Sequence, residues 1–103
     1  MIRRTVPAGP FRWIALVSPE EKDGTELILE PYDHPAAREF QRKLRADGIP
    51  ATMFGVGNTY MERRRLSELG VRFTVEPTKA GEHTIAIFDD TCGNLIQIVD
   101  YKK

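Results

Sequence analysis

The segment near the C-terminus, residues 83–100, constrains the fold more than any other part of the chain. It contains two apolar stretches, joined by a polar turn that ends in Gly93 and Asn94. Two short apolar stretches joined by such a turn are typical of a β-hairpin. The sequence therefore predicts that the chain closes on two paired strands, the last of which carries the polar residue Gln97.

Charge and composition exclude several classes of protein. The 103 residues suit one domain, and an apolar fraction of 41% is enough for a core. Fifteen basic and fifteen acidic residues cancel. Nucleic-acid and membrane-surface partners require clustered positive charge, so neither is expected. The one dense basic run, Arg63–Arg65, is interpreted as a solvated helix face.

The single cysteine and the N-terminal segment bear on the compartment. Cys92 has no second cysteine with which to form an internal disulfide, which suits a reducing compartment. The N-terminus lacks the apolar core of a secretion signal, and no apolar run approaches the length of a membrane span. We therefore expect a cytoplasmic protein with no membrane partner.

Five further strands are predicted from apolar runs bounded by Pro, Gly and charged residues. They cover residues 2–6, 11–17, 25–30, 51–56 and 72–76. With two helices between them, the order is βββα followed by βαβββ. Gly24–Ile28 and Gly93–Gln97 occupy equivalent places, a faint internal repeat. Period-2 alternation of apolar residues favours antiparallel sheet with helices on one face.

The first predicted helix has recognisable start and stop signals. Asp33 or His34 can cap its N-terminus, and Pro35 fits the first turn, where its missing N–H is not needed. Gly48 is a left-handed stop. The predicted apolar face consists of Ala36, Ala37, Phe40 and Leu44.

The second predicted helix begins with a capping-box pattern. Thr59 is the expected cap and Glu62 follows three residues later. The helix is expected to run to about Leu69 and to stop at Gly70. Pro77 is expected to end the strand that follows.

Several segments, taken in order, resemble the vicinal oxygen chelate superfamily, the group of glyoxalases, bleomycin-resistance proteins and extradiol dioxygenases. The strongest pieces are Leu69–Phe73 with Glu76 and Pro77, and then Phe88–Asn94. Leu27–Pro31 with Asp33–Pro35, and Ala46–Ala51, are similar to a glyoxalase-like bacterial subgroup. The resemblance implies an α+β fold in which two βαβββ modules, each a curved mixed or antiparallel sheet with helices on one face, enclose a cavity.

The resemblance also implies how the chain is organised. Residues 1–103 are expected to form one domain, with a partial first module at 1–32, a linking helix at 33–49 and a complete βαβββ module at 50–103. The strand and helix that normally open the first module have no counterpart here, either because the protein is naturally short or because of the start site. A missing strand leaves a neighbour with unpaired backbone groups. We therefore expect a homodimer in which a second chain covers that edge and the exposed apolar face.

Metal-dependent members of the family take ligands from the first and last strands of each module. The matching positions offer Ala51–Met53 and Gln97, together with Glu26 and Glu30, which share one face of their strand. That set falls below the three protein ligands of a typical catalytic site. His34 and His83 match no ligand position and are interpreted as capping or surface residues. We therefore predict no metal and no cofactor.

The predicted ligand-binding residues are Gln97, Glu30, Glu26, Trp13 and Phe54. Gln97 is either a polar group aimed at a ligand or a buried amide satisfied by backbone, and the two aromatic residues are either pocket wall or core. Cys92 is interpreted as a turn residue, because no basic residue or histidine adjoins it in the sequence to activate the thiol. The apolar stem of Arg63 covers apolar surface, or its head contacts a partner chain.

These residues favour a metal-free small-molecule binding or interaction protein that acts as a dimer. The alternative is a lyase, isomerase or dioxygenase of the glyoxalase type, with Zn, Ni, Mn, Fe or Co held by ligands completed across the dimer. A third possibility is a fragment without activity. The substrate and the catalytic residues are not predicted.

Overall fold

The computed structural model describes residues 1–100, which form two helices and two β-sheets, and the predicted α+β class is confirmed. The elements are β1 (Ile2–Ala8), β2 (Phe11–Val17), β3 (Glu26–Leu29), α1 (Pro35–Ala46), β4 (Thr52–Val56), α2 (Thr59–Glu68), β5 (Phe73–Ala80), β6 (His83–Asp89) and β7 (Leu95–Asp100). The chain divides into two compact units, residues 1–38 and the residues from 39 onward. The closing hairpin predicted from the sequence is β6 and β7.

The first unit contains a three-stranded antiparallel sheet in the order β1-β2-β3. Gly9 (φ +62°) makes the tight turn between β1 and β2, a conformation that an L side chain rarely adopts. The register pairs Arg4 with Ala15, and Ala15 in turn with Ile28. Val6 pairs with Trp13 in the same way. Because side chains alternate along a strand, these residues share one face of the sheet.

The second unit contains a four-stranded sheet in the order β4-β7-β6-β5. β4 runs parallel to β7, whereas the pairs β7-β6 and β6-β5 are antiparallel. α2 lies against β5, β6 and β7. The two central strands, which have neighbours on both sides, hold most of the core. Its buried apolar residues are Ala86, Ile87, Leu95, Ile98 and Val99.

The start of α2 corrects the sequence prediction by one residue. The cap is Asn58, whose side-chain oxygen accepts the Met61 N–H at 3.0 Å, and not Thr59. Thr59 is instead buried in the first turn, where its hydroxyl donates to the Thr84 carbonyl at 2.6 Å. Glu62, expected to reach back to the cap, binds Arg65. Asn and Thr are both good caps, so the local pattern did not distinguish them. The predicted stop at Gly70 (φ +93°) is confirmed.

β5 continues through Pro77, where the sequence predicted its end. The pairing with β6 shifts register between Val75 and Thr78 and then continues to Ala80. β5 is an edge strand, so the proline removes no hydrogen bond that a second neighbour would need.

α1 has the predicted ends but not the predicted burial. His34 Nδ1 accepts the Ala36 N–H at 3.0 Å, and Gly48 (φ +70°) provides the left-handed stop. Phe40, expected on a buried face, is 65% exposed. Neither helix of residues 1–100 has the length and apolar content required to cross a bilayer.

Candidate functional site

One face of the first sheet forms a groove of about 350 Å³. Its lining residues are Arg4 and Val6 on β1, Trp13 and Ala15 on β2, Ile28 on β3, and Glu30 directly after β3. The strand residues of the groove face the same way because the register pairs Arg4 with Ala15, Val6 with Trp13 and Ala15 with Ile28. Two of the predicted ligand-binding residues, Trp13 and Glu30, lie in it.

The walls of the groove are large apolar side chains in contact with solvent. Trp13 is 47% exposed, and Val6 and Ile28 are exposed to a similar degree. Beneath them, Ala15 is buried and forms the floor. Contiguous exposed apolar surface on a small domain marks a binding surface more often than a chance arrangement.

The charged residues near the groove differ in how they are paired. Arg4 donates through Nη2 to Glu26 Oε2 at 2.8 Å, and Arg3 Nε lies 3.3 Å from Glu26 Oε1. The Glu26 carboxylate is therefore held between two guanidinium groups. Within residues 1–100, no hydrogen bond or ion pair joins the Glu30 side chain to another residue. Of the two predicted carboxylates, Glu30 alone is available to a ligand.

A second groove of about 300 Å³ also lies in the first unit. It is lined by Phe11, Pro31, Tyr32, Asp33 and Arg38. Phe11 precedes Trp13 by two positions on β2, and Pro31 follows Glu30, so the two grooves are lined by neighbouring residues of the chain. Aromatic rings and a carboxylate therefore continue beyond the first groove.

The predicted residue Gln97 lies on the second sheet. Its Cα partners are Met53 on β4 and Ile87 on β6. Gln97 Nε2 lies 3.3 Å from the Met53 sulfur, so the amide contacts a side chain and not the backbone acceptor that the sequence suggested as one alternative. Phe54 follows Met53 on β4 and faces the opposite side of the sheet. The structure therefore separates Phe54 from Gln97, and the binding role of each stays a prediction.

The donor chemistry does not fit a divalent metal ion. In residues 1–100, no three His, Cys, Asp or Glu side chains come together as a metal site requires. The paired residues Gln97 and Met53 supply one neutral amide and one thioether, and neither group has a negative charge. The histidines serve elsewhere, since His34 caps α1 and His83 Nδ1 lies 3.0 Å from the Asp100 carbonyl oxygen.

The turn before β7 is ordered by residues that the sequence did not identify. Asp90 Oδ1 accepts the N–H groups of Cys92 at 2.7 Å and Asn94 at 2.9 Å. Gln41, on α1, donates to the Cys92 carbonyl at 3.1 Å and to Asn94 Oδ1 at 3.0 Å. Asp90 precedes Asn94 by four residues and is a recognisable turn signal, but Gln41 is too distant in sequence to give one. These bonds support the interpretation of Cys92 as a turn residue.

Two further ion pairs lie in the second unit, Arg63 with Glu76 and Arg45 with Asp89. Arg63 makes two hydrogen bonds to Glu76, at 2.6 and 2.7 Å, and its guanidinium lies 5.7 Å from the centre of the Phe73 ring. The Arg63 hydrogen bond lowers the pKa of Glu76. The Thr91 N–H, and then Arg45, lower the pKa of Asp89. Arg63 therefore contacts its own unit, and its predicted contact with a partner chain stays a prediction.

The comparisons with known proteins agree with this architecture. Residues 1–98 match the sequence model of the Glyoxalase/Bleomycin resistance protein/Dioxygenase superfamily. An uncharacterized protein of Bacillus subtilis (strain 168), YurT, is 65% identical over 97 residues, which cover 94% of this chain and 76% of the relative. The crystal structure of UcmS2 matches with a TM-score of 0.74 and 28% identity over 98% of this chain and 79% of its own. The predicted vicinal oxygen chelate fold is confirmed.

Proposed function

Because the chain belongs to the Glyoxalase/Bleomycin resistance protein/Dioxygenase superfamily, we propose that it binds a small organic molecule, without a metal ion, in the Trp13 groove of its first sheet. The observation that carries this proposal is the groove itself. Its volume of about 350 Å³ is within the range of small-molecule sites, and apolar walls with few polar groups are typical of them.

The donor set favours binding without a metal. The superfamily includes metal-dependent enzymes, but the strand positions that resemble their ligand positions hold the uncharged residues Ala51–Met53 and Gln97 here, of which Met53 and Gln97 are paired. Oxygen donors with negative charge are the ligands that hard divalent ions prefer. Neither side chain provides one, so the groove and not a metal centre is the supported site.

Trp13 makes the proposal directly testable because it is the only tryptophan of the chain. The fluorescence emission of Trp13 is measured while the protein is titrated with three probes that share a benzyl group: neopentylbenzene, benzyltrimethylammonium and phenylacetate. For ligands of this size we expect saturable binding with a Kd on the order of 1 mM. Absence of saturable binding for all three probes would contradict the proposal.

A matched pair of variants locates the binding. Ile28 lines the groove, whereas Leu27, its neighbour on β3, faces the other side of the sheet and is equally exposed. Ile28→Asn is expected to weaken binding of neopentylbenzene about 3- to 10-fold by removing an apolar wall. Leu27→Asn is expected to leave the affinity unchanged. Equal loss in both variants would place the binding elsewhere.

We also propose that the protein acts as a homodimer joined at β3. Among residues 1–100 this strand is hydrogen-bonded to β2 on one side only, and Leu27 and Leu29 are exposed on the face opposite the groove. An unpaired edge beside exposed apolar residues is a template for association. A second chain at this edge would cover both leucines and leave the Trp13 groove open.

A further inference from the structure

The Trp13 groove contains a pairing imbalance that points to the charge of its ligand. Arg4 already has an intramolecular partner, because its guanidinium lies 2.8 Å from Glu26. Arg3 shares the same carboxylate. Glu30, which lines the groove, has no hydrogen-bond or ion-pair partner among residues 1–100. Two guanidinium groups share the Glu26 carboxylate, and the Glu30 carboxylate, beside an apolar wall, is the acceptor that remains for a ligand.

The ring of Trp13 lies in the groove that contains this carboxylate. An organic cation is attracted both by the face of an aromatic ring and by a carboxylate. We propose that the groove selects an organic cation with an apolar body. The ammonium group would lie between Trp13 and Glu30, and the apolar body would lie against Val6 and Ile28. This inference rests on the proposed binding function and specifies its ligand.

The same contacts disfavour an anionic ligand. An anion that approached Arg4 would compete with Glu26, which is already in place, and it would be repelled by Glu30. Glu26 belongs to the same chain, so its contact with Arg4 costs no translational entropy. An incoming anion would lose translational freedom on binding. Arg4 is therefore a wall of the groove and not its specificity determinant.

The adjoining groove extends the same chemistry. Phe11 and Tyr32 supply two more rings, and Asp33 supplies a second carboxylate. Asp33 lies 3.9 Å from Arg38, a separation at the limit of an ion pair, and both side chains are more than half exposed.

Two probes of the same shape separate charge from apolar contact. Benzyltrimethylammonium and neopentylbenzene differ only in that a charged nitrogen replaces a carbon. We expect the cation to bind about 10-fold more tightly than its neutral analogue, and phenylacetate to bind most weakly. The preference for the cation should decrease as salt is raised, because the site is exposed to screening.

The results distinguish this inference from the function on which it rests. Equal affinities for cation and neutral analogue, or tighter binding of phenylacetate, would overturn the cation inference and leave the binding function supported. No binding of any probe would overturn both. Saturable binding in the expected order, with the expected salt dependence, supports both.

Variants assign the charge preference to one residue. Glu30→Gln keeps the size of the side chain and is expected to lower the affinity for benzyltrimethylammonium about 5-fold, with no change for neopentylbenzene. Glu20→Gln removes an equally exposed carboxylate in the loop after β2 and is the matched control. Trp13→Leu, measured by calorimetry, should also reduce the cation preference. An unchanged cation preference in Glu30→Gln would overturn the assignment.

Discussion

The two sheets of this protein share a strand pattern but differ in what surrounds it. β1-β2-β3 and β5-β6-β7 are both antiparallel, and each begins with a hairpin turn at a left-handed glycine, Gly9 (φ +62°) and Gly81 (φ +66°). In the second sheet β4 pairs in parallel with β7, and α2 lies against the strands. On the corresponding side of β3 no strand is paired within residues 1–100.

Burial follows this difference. In the first sheet the buried apolar residues are Ala15 and Val17, whereas the second sheet has a core centred on Ile98 and Val99. In this protein the sheet that has a fourth strand and a helix against it has the larger buried core. Without them, the same pattern exposes an apolar face, here the Trp13 groove.

The correspondence extends to individual positions. Val6 pairs with Trp13 as Thr78 pairs with Ile85, and Ala15 pairs with Ile28 as Ile87 pairs with Gln97. The groove face of the first sheet therefore corresponds to the Gln97 face of the second. The internal repeat suggested by the sequence is present in the strand pairing.

The largest expected loss of stability comes from shortening an apolar side chain in the second sheet, compared with the residue at the corresponding position of the first sheet. Ile98 is 3% exposed, whereas Leu29, at the corresponding position of β3, is 44% exposed. Ile98→Ala is expected to lower the free energy of unfolding by about 2–4 kcal/mol through lost burial and a cavity, and Leu29→Ala by less than about 1 kcal/mol. Urea unfolding followed by circular dichroism measures both, at a protein concentration where the wild-type chain sediments as a monomer, so that no second chain covers Leu29. Similar losses would show that the two sheets are equally covered in solution.

The next prediction concerns the open edge of β3, because its counterpart β7 is paired with β4 in the second sheet. Leu29→Lys places a charge at the unpaired edge of β3 and is expected to weaken the proposed dimer at least about 10-fold, since edge lysines oppose strand association. Sedimentation velocity at micromolar concentration measures the change. Ile49→Lys, at an equally exposed apolar residue of the second unit, is the control. A wild-type chain that sediments as a monomer would remove the dimer altogether.

A smaller loss of stability is expected at the contact between α2 and the second sheet. Thr59→Val keeps the side-chain shape but removes the 2.6 Å hydrogen bond to the buried Thr84 carbonyl. We expect a loss of about 1–2 kcal/mol, because a buried carbonyl then lacks a donor. Thr52→Val, at an exposed position of β4, is the control and should be nearly neutral. An equal response of the two variants would mean that α2 is not held by this contact.

Acid sensitivity should also distinguish the sheets. The Thr84 N–H, at 2.6 Å from Oδ1, lowers the pKa of Asp100 at the end of β7, whereas the corresponding residue after β3 is Pro31. A lowered folded-state pKa stabilises the fold above the ordinary pKa, and this stabilisation is lost as pH falls through the folded-state value. Asp100→Asn should therefore be less stable than wild type at neutral pH and equally stable near pH 2. Urea unfolding at both values tests this, and a difference that persists in acid would contradict it.

The smallest expected effect is that of metal. Neither Gln97 nor its counterpart Ile28 is a carboxylate, so neither sheet has a negatively charged donor at this position. Protein purified without chelator should contain no stoichiometric Zn, Ni, Mn, Fe or Co by elemental analysis, and added metal should shift the melting temperature by less than about 1 °C. Stoichiometric metal would favour the lyase, isomerase or dioxygenase alternative.

Local signals predicted most elements, and the errors have identifiable causes. Gly48 and Gly70 ended their helices as expected, because a left-handed stop depends on one residue and its neighbours. The cap of α2 was assigned to Thr59 because Asn58 and Thr59 are both suitable caps, and only the packing of Thr59 against β6 distinguishes them. Pro77 was predicted to end its strand. Proline is tolerated inside a strand at the edge of a sheet, and only the strand order shows that β5 is at an edge.

The sequence by itself determined the strands and helices, their order, the closing hairpin and the likeness to a family, because these depend on residues close together along the chain. Only the tertiary structure decided which sheet is covered and which charges are paired. Arg4 and Glu26 are separated by 22 residues and meet through the register of β1, β2 and β3. That register leaves Glu30 beside Trp13, and no local pattern in the sequence specifies this neighbourhood.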